Sequence, residues 1–422
     1  MSFSQTTRWF LTAALVHLSL VGVLLLFANQ SGALTTQWNL VLWLLLIGFV
    51  ACTTLGLSLH LFPAVSRRLS PKGPWAPISF VLVETGVVWG AISLAQSPSA
   101  PFPGWSFSAA STCFLVGVGF AVGIFVATLS RPRLTTPGPE IRPGDAVTVP
   151  LFLASWLAAL VSGVFFALSG VSLGPGFGWW LAAVHLFVLG HATLLIAAVT
   201  LRLVPRSLDA DVPKVAGLAL ASLGTAGAAL VPAGMLLTSP STASLLAVLA
   251  VPEAGFAVLF FLLLLYLGLK AKTPRRQLGL HLTTVTFLLA GGAAGLWMAV
   301  RSDYSPVVAH GLVNVLGFLG LTIVIMWFGM VAPFQRISHA WTRRMLWGLS
   351  GSWLVMVLVL AWVGEALPTA PMWLTTVGGG LLLAVAITWG AGTIPVLFPA
   401  LNPLPGLTSE EIRVIRNRWS HR

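Results

Sequence analysis

The chain has 422 residues, of which 57% are hydrophobic and 8% charged, with a formal net charge of +12 and a mean hydropathy of +0.95. Soluble domains carry about 25% charged residues, so this composition excludes a soluble globular protein and indicates a polytopic membrane protein. The positive charge does not indicate nucleic-acid binding. The basic residues stand in short clusters between apolar stretches, as the positive-inside rule predicts.

Twelve apolar stretches are long enough to cross a bilayer as helices. They fall at residues 8–28, 38–63, 77–97, 105–129, 148–172, 178–204, 213–237, 243–269, 279–300, 306–331, 342–364 and 371–398. We therefore predict an all-α membrane protein with twelve spans. Both cysteines, Cys52 and Cys113, fall inside spans, which argues against a disulfide framework or a cysteine metal site.

The connecting loops alternate in charge. Those after spans 2, 4, 6, 8 and 10 carry Lys and Arg, whereas those after spans 1, 3, 5 and 7 carry none. This pattern predicts a multi-pass protein of the cell (inner) membrane with both termini in the cytoplasm. We expect a single transmembrane domain over residues 1–405 and a cytoplasmic tail over 406–422 that forms a short capped helix.

Spans 2, 6 and 10 share a pattern of glycine, proline and a trailing cation. Fourteen residues separate Gly48 from Pro63 and Gly190 from Pro205, and fifteen separate Gly317 from Pro333. The spacing predicts three pseudo-repeated four-helix units, about 1–135, 136–272 and 273–405. The alternative is chance recurrence of Gly and a terminal Pro. In span 6 we expect Pro205 to stop the helix and Arg206 to lie at the interface.

Six histidines lie within spans, where ionisable side chains are costly and are functional candidates. At ~1.5 Å per residue they sort into three depths. The pairs are His185 with His310 at the outer level, His17 with His191 near the midplane, and His60 with His281 at the inner level. His185 and His191 point ~120° apart and so belong to different sites.

Imidazole is a common metal ligand, and two imidazoles from facing helices can hold a haem iron. The alternative for each histidine is a hydrogen bond to a neighbouring helix. Asn314 follows His310 by one turn and is expected to orient it. Glu84 is expected to pair with an inner histidine or to serve a proton path. Arg202 either extends to the interface or binds a haem propionate.

Twelve spans, internal termini and histidines on spans 2, 6 and 10 resemble subunit I of the heme-copper oxidase superfamily. The His-Leu-x-x-x-Gly pattern at His17 and His185 is similar to that of its distant NnrS-like relatives. The family's His-Pro-Glu-Val-Tyr on span 6, paired histidines on span 7 and His-x-His on span 10 have no match here. Oxygen reduction is therefore not supported by motif. The resemblance implies that His60, His185 and His310 lie on the spans that carry the metal ligands in that family.

We therefore predict an integral membrane protein binding one or two haem b groups, with a redox or nitric-oxide-related role. The resemblance leaves copper open, with quinol, nitric oxide or a cytochrome as partners. The expected haem residues are His185, His310, His60, His281, Asn314 and Arg202, and the expected metal ligands are His17, His191, His185 and His310. Two alternatives remain. One is a proton- or metal-coupled transporter using His17, His191 and Glu84, and the other is a scaffold without a cofactor.

Overall fold

The computed structural model describes residues 4–27, 34–66, 68–71, 73–96, 104–132, 142, 145–171, 176–237, 243–272, 278–301, 303, 306–328, 339–366 and 372–397. This part of the chain is helical and contains twelve helices long and apolar enough to cross a membrane. The twelve predicted spans are thus confirmed, and we number the spanning helices α1–α12 in chain order. The predicted tail helix and Pro333 lie outside the described residues.

Eight spans are uninterrupted α-helices. They are α1 (Gln5–Phe27), α3 (Trp75–Gln96), α4 (Gly104–Leu129), α5 (Asp145–Gly170), α7 (Lys214–Leu237), α9 (Leu278–Arg301), α11 (His339–Ala366) and α12 (Met372–Leu397). The eighth span, α8, consists of Ala243–Leu249 followed directly by Val251–Lys270.

Spans α2, α6 and α10 each contain a segment of π-helix in mid-membrane. In α2, Leu34–Trp43 leads into π1 (Leu44–Ala51) and Cys52–Ser66. In α6, Gly176–His185 leads into π2 (Leu186–Thr193) and Leu194–Leu208. In α10, Val307–Leu312 leads into π3 (Val313–Gly320) and Leu321–Met326.

These three spans form the centre of the bundle. The buried share of their apolar windows is 94%, 83% and 78%, against 33% to 44% for the other nine. Segments π1, π2 and π3 contact one another pairwise, and the remaining helices pack around them, with α1 against α12 closing the ring. Large exposed side chains on the outer helices, including Val81, Val126, Leu157 and Trp362, contact the lipid.

Glycine occupies the fifth position of every π segment, at Gly48, Gly190 and Gly317. Each faces a side chain that a Cβ would meet at 2.7–2.8 Å, from His17, Ala158 and Phe287 respectively. The recurrent glycine of the sequence pattern is therefore a site of close helix approach. The common placement supports the three-unit grouping, which stays a prediction.

The prolines behave differently from the expectation. Pro63 and Pro205 lie inside their helices, which continue to Ser66 and Leu208. A proline has no backbone N–H to donate to the carbonyl four residues earlier, so each of these helices continues past its proline with one intrahelical bond fewer. After Pro205 the helix ends at Asp209, which adopts a left-handed conformation with φ 46°, and the amide of Ala210 donates to the Pro205 carbonyl.

Replacing Gly190 by alanine should destabilise the bundle by about 1–3 kcal/mol, because the new Cβ would lie 2.7 Å from the rigid Cβ of Ala158. Gly119→Ala on α4 is the matched control, since nothing lies within 4 Å of its added Cβ. Thermal unfolding of the two variants in detergent measures the difference. Equal midpoints would show that the π2–α5 contact is not tightly packed.

Candidate functional site

The imidazoles of His185 and His310 lie face to face between α6 and α10. Their ring centroids are 6.1 Å apart and their planes differ by 21°. Nδ1 of His185 donates to the Leu181 carbonyl at 2.9 Å, and Nδ1 of His310 donates to the Gly291 carbonyl at 2.8 Å. Protonation at Nδ1 leaves each Nε2 as a lone pair, which is the state that binds metals.

Two glycines on α9 make room for the His310 side of this pair. A Cβ on Gly295 would stand 2.9 Å from Cε1 of His310, and one on Gly291 would clash with the amide of Asn314. Asn314 donates from Nδ2 to the His310 carbonyl at 2.9 Å, whereas Nδ2 lies 3.4 Å from Nδ1. The Gly291 carbonyl, rather than the predicted Asn314 amide, therefore orients the ring. Asn314 instead satisfies the His310 carbonyl where α10 widens into π3.

The π segments explain where these histidines stand. His185 is the residue immediately before π2, and His310 lies three residues before π3. The π segments contact one another at the centre, and the two histidines on the N-terminal side of π2 and π3 lie next to each other. In α2 the residue before π1 is Trp43, whose Nε1 donates to the Val87 carbonyl at 3.0 Å. A tryptophan therefore stands in α2 where α6 has a histidine.

The midplane pair predicted from depth is not a pair in the structure. Nε2 of His17 bonds Oε2 of Glu84 at 2.9 Å. His191, fully buried, is bonded at Nε2 to the Thr54 hydroxyl at 3.0 Å and at Nδ1 to the Ser155 carbonyl at 3.2 Å. Both ring nitrogens of His191 are engaged, so ligation by His191 would cost one of these bonds.

The inner pair is not brought together either. His281 lies on α9, which packs against α8 and the π3 segment of α10, whereas the His60 segment of α2 packs against α1 and α4. His281 is buried with Nε2 lacking a hydrogen-bond partner, and His60 is half-buried. Two residues at the same depth in the membrane can still lie on different sides of the bundle. The ligand roles of both residues stay predictions.

Glu84 lies deeper than the sequence suggested. It is the tenth residue of α3, about 14 Å from the helix start, which places it level with His17 rather than with His60 and His281. Its second oxygen, Oε1, accepts from the Cys52 thiol at 3.0 Å. Pairing with an inner histidine, as predicted, is therefore wrong.

Arg202 lies in an ionic cluster at the end of the bundle that carries the basic loops. Asp145 bridges Nη1 of Arg202 at 3.3 Å and Nη2 of Arg206 at 2.5 Å. Arg142 binds the backbone carbonyl of Ala210 and the carboxylate of Asp209. The hydrogen bond from Arg142 and, to a smaller extent, the positive charge of Lys272 lower the pKa of Asp209, which lies outside the spans.

Arg202 stands seventeen residues after His185 on the same span, about 25 Å along the helix. It is too far to reach a group bound between His185 and His310. Its place in the ionic cluster at the end of the span is compatible with the predicted extension to the interface, whereas the distance argues against a role as partner of a haem propionate at this pair.

The sequence analysis missed two residues. Glu253 lies in the N-terminal half of α8, packed against Gly227, with both carboxylate oxygens buried and without a hydrogen-bond partner. It is the sole acidic residue of its span, a signal that could have revealed it. Cys52 was considered only as a candidate for a disulfide or a cysteine metal site, so its bond to Glu84 was not foreseen.

No protein-family model matches the chain, and no curated protein sequence matches it. Among solved structures the fold is similar to that of a heme-copper terminal oxidase determined as a dimer by cryo-EM. The TM-score is 0.65 at 11% sequence identity, and the match covers 94% of this chain and 84% of that chain. At this identity the likeness shows the fold. The chain is a multi-pass membrane protein with a heme-copper oxidase-like fold.

The donor set between α6 and α10 suits a haem better than a bare metal ion. The described residues contain no group of three or more His, Cys, Asp or Glu side chains able to hold a metal ion. Two imidazoles suffice for haem iron because the macrocycle supplies four nitrogens.

Replacing Asp145 by asparagine should lower stability by about 1–3 kcal/mol, because two guanidinium groups lose their shared charged acceptor. The Asp145 side chain is 11% exposed. Asp211→Asn is the matched control, since its carboxylate is 66% exposed and 3.7 Å from Arg142. Thermal unfolding at low salt measures both. If Asp211→Asn lowers the thermal stability as much as Asp145→Asn does, the special role of Asp145 would be contradicted.

Proposed function

We propose that the protein binds haem b between His185 and His310 and has a redox role in the cell membrane. The observation that carries the proposal is the facing pair of imidazoles with both Nδ1 atoms committed to backbone carbonyls. The oxidase-like fold supports it, because the neighbour described as a heme-copper terminal oxidase has that fold. Both termini are proposed to lie in the cytoplasm, as the loop charges predict.

The chain's own residues would do three things at this site. His185 and His310 would hold the iron from two helices, so that the site joins α6 to α10. The Leu181 and Gly291 carbonyls fix the tautomer and aim of each ring. The apolar central segments exclude water, which lowers the local dielectric around a charged centre. Haem, when bound, supplies one-electron redox chemistry.

The finer parts of the proposal rest on the resemblance. A nitric-oxide-related role follows from the similarity to NnrS-like proteins, and quinol or a cytochrome would be the electron partner. A second haem or a copper ion would have to use His60, His281, His17 or His191. The support for these sites is weaker. His17 and His191 bond to other residues, and His60 and His281 lie on helices that do not pack together.

The transporter alternative places its substrate on His17, His191 and Glu84. His191 is engaged at both nitrogens, and the described part of the chain lacks a three-ligand metal group. The hydrogen bond between His17 and Glu84 is the one observation that favours proton coupling. Uptake of protons or metal ions by proteoliposomes that contain the protein from haem-depleted cells would support the transporter and count against the redox role.

The full chain, purified in detergent from haem-sufficient cells, should show a Soret band that sharpens and shifts on dithionite reduction. His185→Ala and His310→Ala should each lower haem content about tenfold or more, because one of the two residues that would hold the haem is lost. His421→Ala, at the far C-terminus, is the histidine control. A colourless protein with neither iron nor copper by elemental analysis would overturn the proposal.

Gly295→Val tests the site without removing a ligand. The valine would occupy the space of the His310 ring, whose Cε1 lies 2.9 Å from the position of the added Cβ. We expect about a tenfold loss of haem affinity. Gly292→Val on the same helix is the matched control, because nothing lies within 4 Å of its Cβ. Haem titration of the apoprotein measures both, and equal affinities would place the haem elsewhere.

A further inference from the structure

Glu253 on α8 is a buried acid that the haem proposal does not use. Both of its carboxylate oxygens are buried and lack a hydrogen-bond partner. Oε2 lies against α7, 2.5 Å from the position that a Cβ on Gly227 would take, so glycine leaves the room that the carboxyl group occupies. The contact between α7 and α8 therefore holds a carboxyl group away from water and without a donor.

Glu253 lies well inside the membrane. It is ten residues from Ala243, where α8 begins, and seventeen from Lys270, where α8 ends, which is about 15 Å and 25 Å along the helix. On the facing helix, Gly227 is ten residues from Leu237 at the end of α7, again about 15 Å. An ionised carboxylate at this depth is costly unless it has a cation or several donors.

The helices packed against α8 place no positive charge near Glu253. These helices are α7, α9 and the Leu194–Leu208 segment of α6. Their relative levels follow from two contacts, since Leu194 packs on Gly224 and Leu278 packs on Gly268. Each titratable or charged group on their described residues is about 12 Å or more from Glu253 along the bundle. The groups are Lys214 on α7, Arg202 and Arg206 on α6, His281 and Arg301 on α9, and Tyr266 and Lys270 on α8 itself.

His191 on π2 lies at a similar level to Glu253, but its two ring nitrogens bond to residues of α2 and α5. It therefore offers no donor to α8. Within the described part of the chain, the Glu253 carboxyl group has neither a neighbouring cation nor a neighbouring donor.

A proline on the facing helix leaves an acceptor next to this carboxyl group. Pro232 lies inside α7 and has no N–H, so the carbonyl of Ala228, four residues earlier, has no helical donor. Ala228 directly follows Gly227 and is itself buried. Its Cβ packs on π2, 3.4 Å from the position of a Cβ on Gly190. A carbonyl without a donor and a carboxyl group without a partner can satisfy each other once the carboxyl group carries a proton.

We propose that Glu253 is a proton-binding site between α7 and α8, held as a neutral carboxylic acid whose O–H donates to the Ala228 carbonyl. Uptake of the proton from hydronium forms the O–H bond of the acid and leaves one water, and no electron is transferred. The carboxylate form would leave a buried charge and an unpaired carbonyl. The site therefore holds its proton at neutral pH and loses it only as the pH rises. The proposal is independent of haem binding.

Infrared spectroscopy detects the acid form directly, because the C=O stretch of a protonated carboxyl group lies above the amide bands. The full-length protein, in a detergent without ester groups, should show such a band at neutral pH. The band should move to lower frequency in heavy water as the O–H exchanges, and Glu253→Gln should remove it. Asp211→Asn is the matched control, since its side chain is 66% exposed to water, and it should leave the band unchanged.

Pro232→Ala tests the acceptor. The new alanine N–H can donate to the Ala228 carbonyl and so competes with the Glu253 O–H. The carboxyl band should therefore move to higher frequency, as expected for a weaker hydrogen bond. Pro150→Ala is the matched control, because it restores a donor at an exposed position inside α5, and it should leave the band where it is.

The parent protein alone can overturn the proposal. If it shows no protonated-carboxyl band at neutral pH, Glu253 is ionised there. A band that survives in Glu253→Gln would belong to another group, and a band that does not move in Pro232→Ala would exclude the Ala228 carbonyl as the acceptor. Each of these results contradicts the proposal, and none of them affects the haem site between α6 and α10.

Discussion

A bilayer offers no water to hydrogen-bond backbone or side-chain polar groups, and this constraint shapes the centre of the molecule. Three spans widen into π-helix there, which frees carbonyls from the regular ladder. Nearby side chains satisfy several of them. Thr193 donates to Val188 at 2.8 Å, Trp353 Nε1 to Leu316 at 2.8 Å, and Asn314 to His310 at 2.9 Å. The central polar residues therefore belong to the same arrangement that allows three helices to meet closely.

The same constraint separates structural histidines from candidate ligands. His191 has both nitrogens satisfied by the protein, as a buried polar group ordinarily does. His185 and His310 each have Nδ1 fixed by a backbone carbonyl, and their rings lie next to each other in nearly parallel planes. His17, Cys52 and Glu84 show a third arrangement, in which side chains from three spans bond to one carboxylate.

The sequence predicted the spans and the fold class because length, apolarity and loop charge are properties of each segment alone. It placed His185 and His310 at the same depth, and in the structure their ring centroids are 6.1 Å apart. It failed for His17 with His191 and for His60 with His281, because depth gives one coordinate and neighbours around a bundle depend on packing. The partners of Glu84 were missed for the same reason. Nothing in the sequence distinguishes π-helix from α-helix in an apolar run such as Leu44–Ala51.

A cryo-EM map of the full chain, purified from haem-sufficient cells and held in a lipid nanodisc, tests the central claim most directly. The account predicts planar density between α6 and α10, with the His185 and His310 imidazoles reaching it from opposite faces and Gly295 beside the His310 ring. Two imidazoles in direct contact across the same space, with no density between them and no iron in the sample, would contradict it.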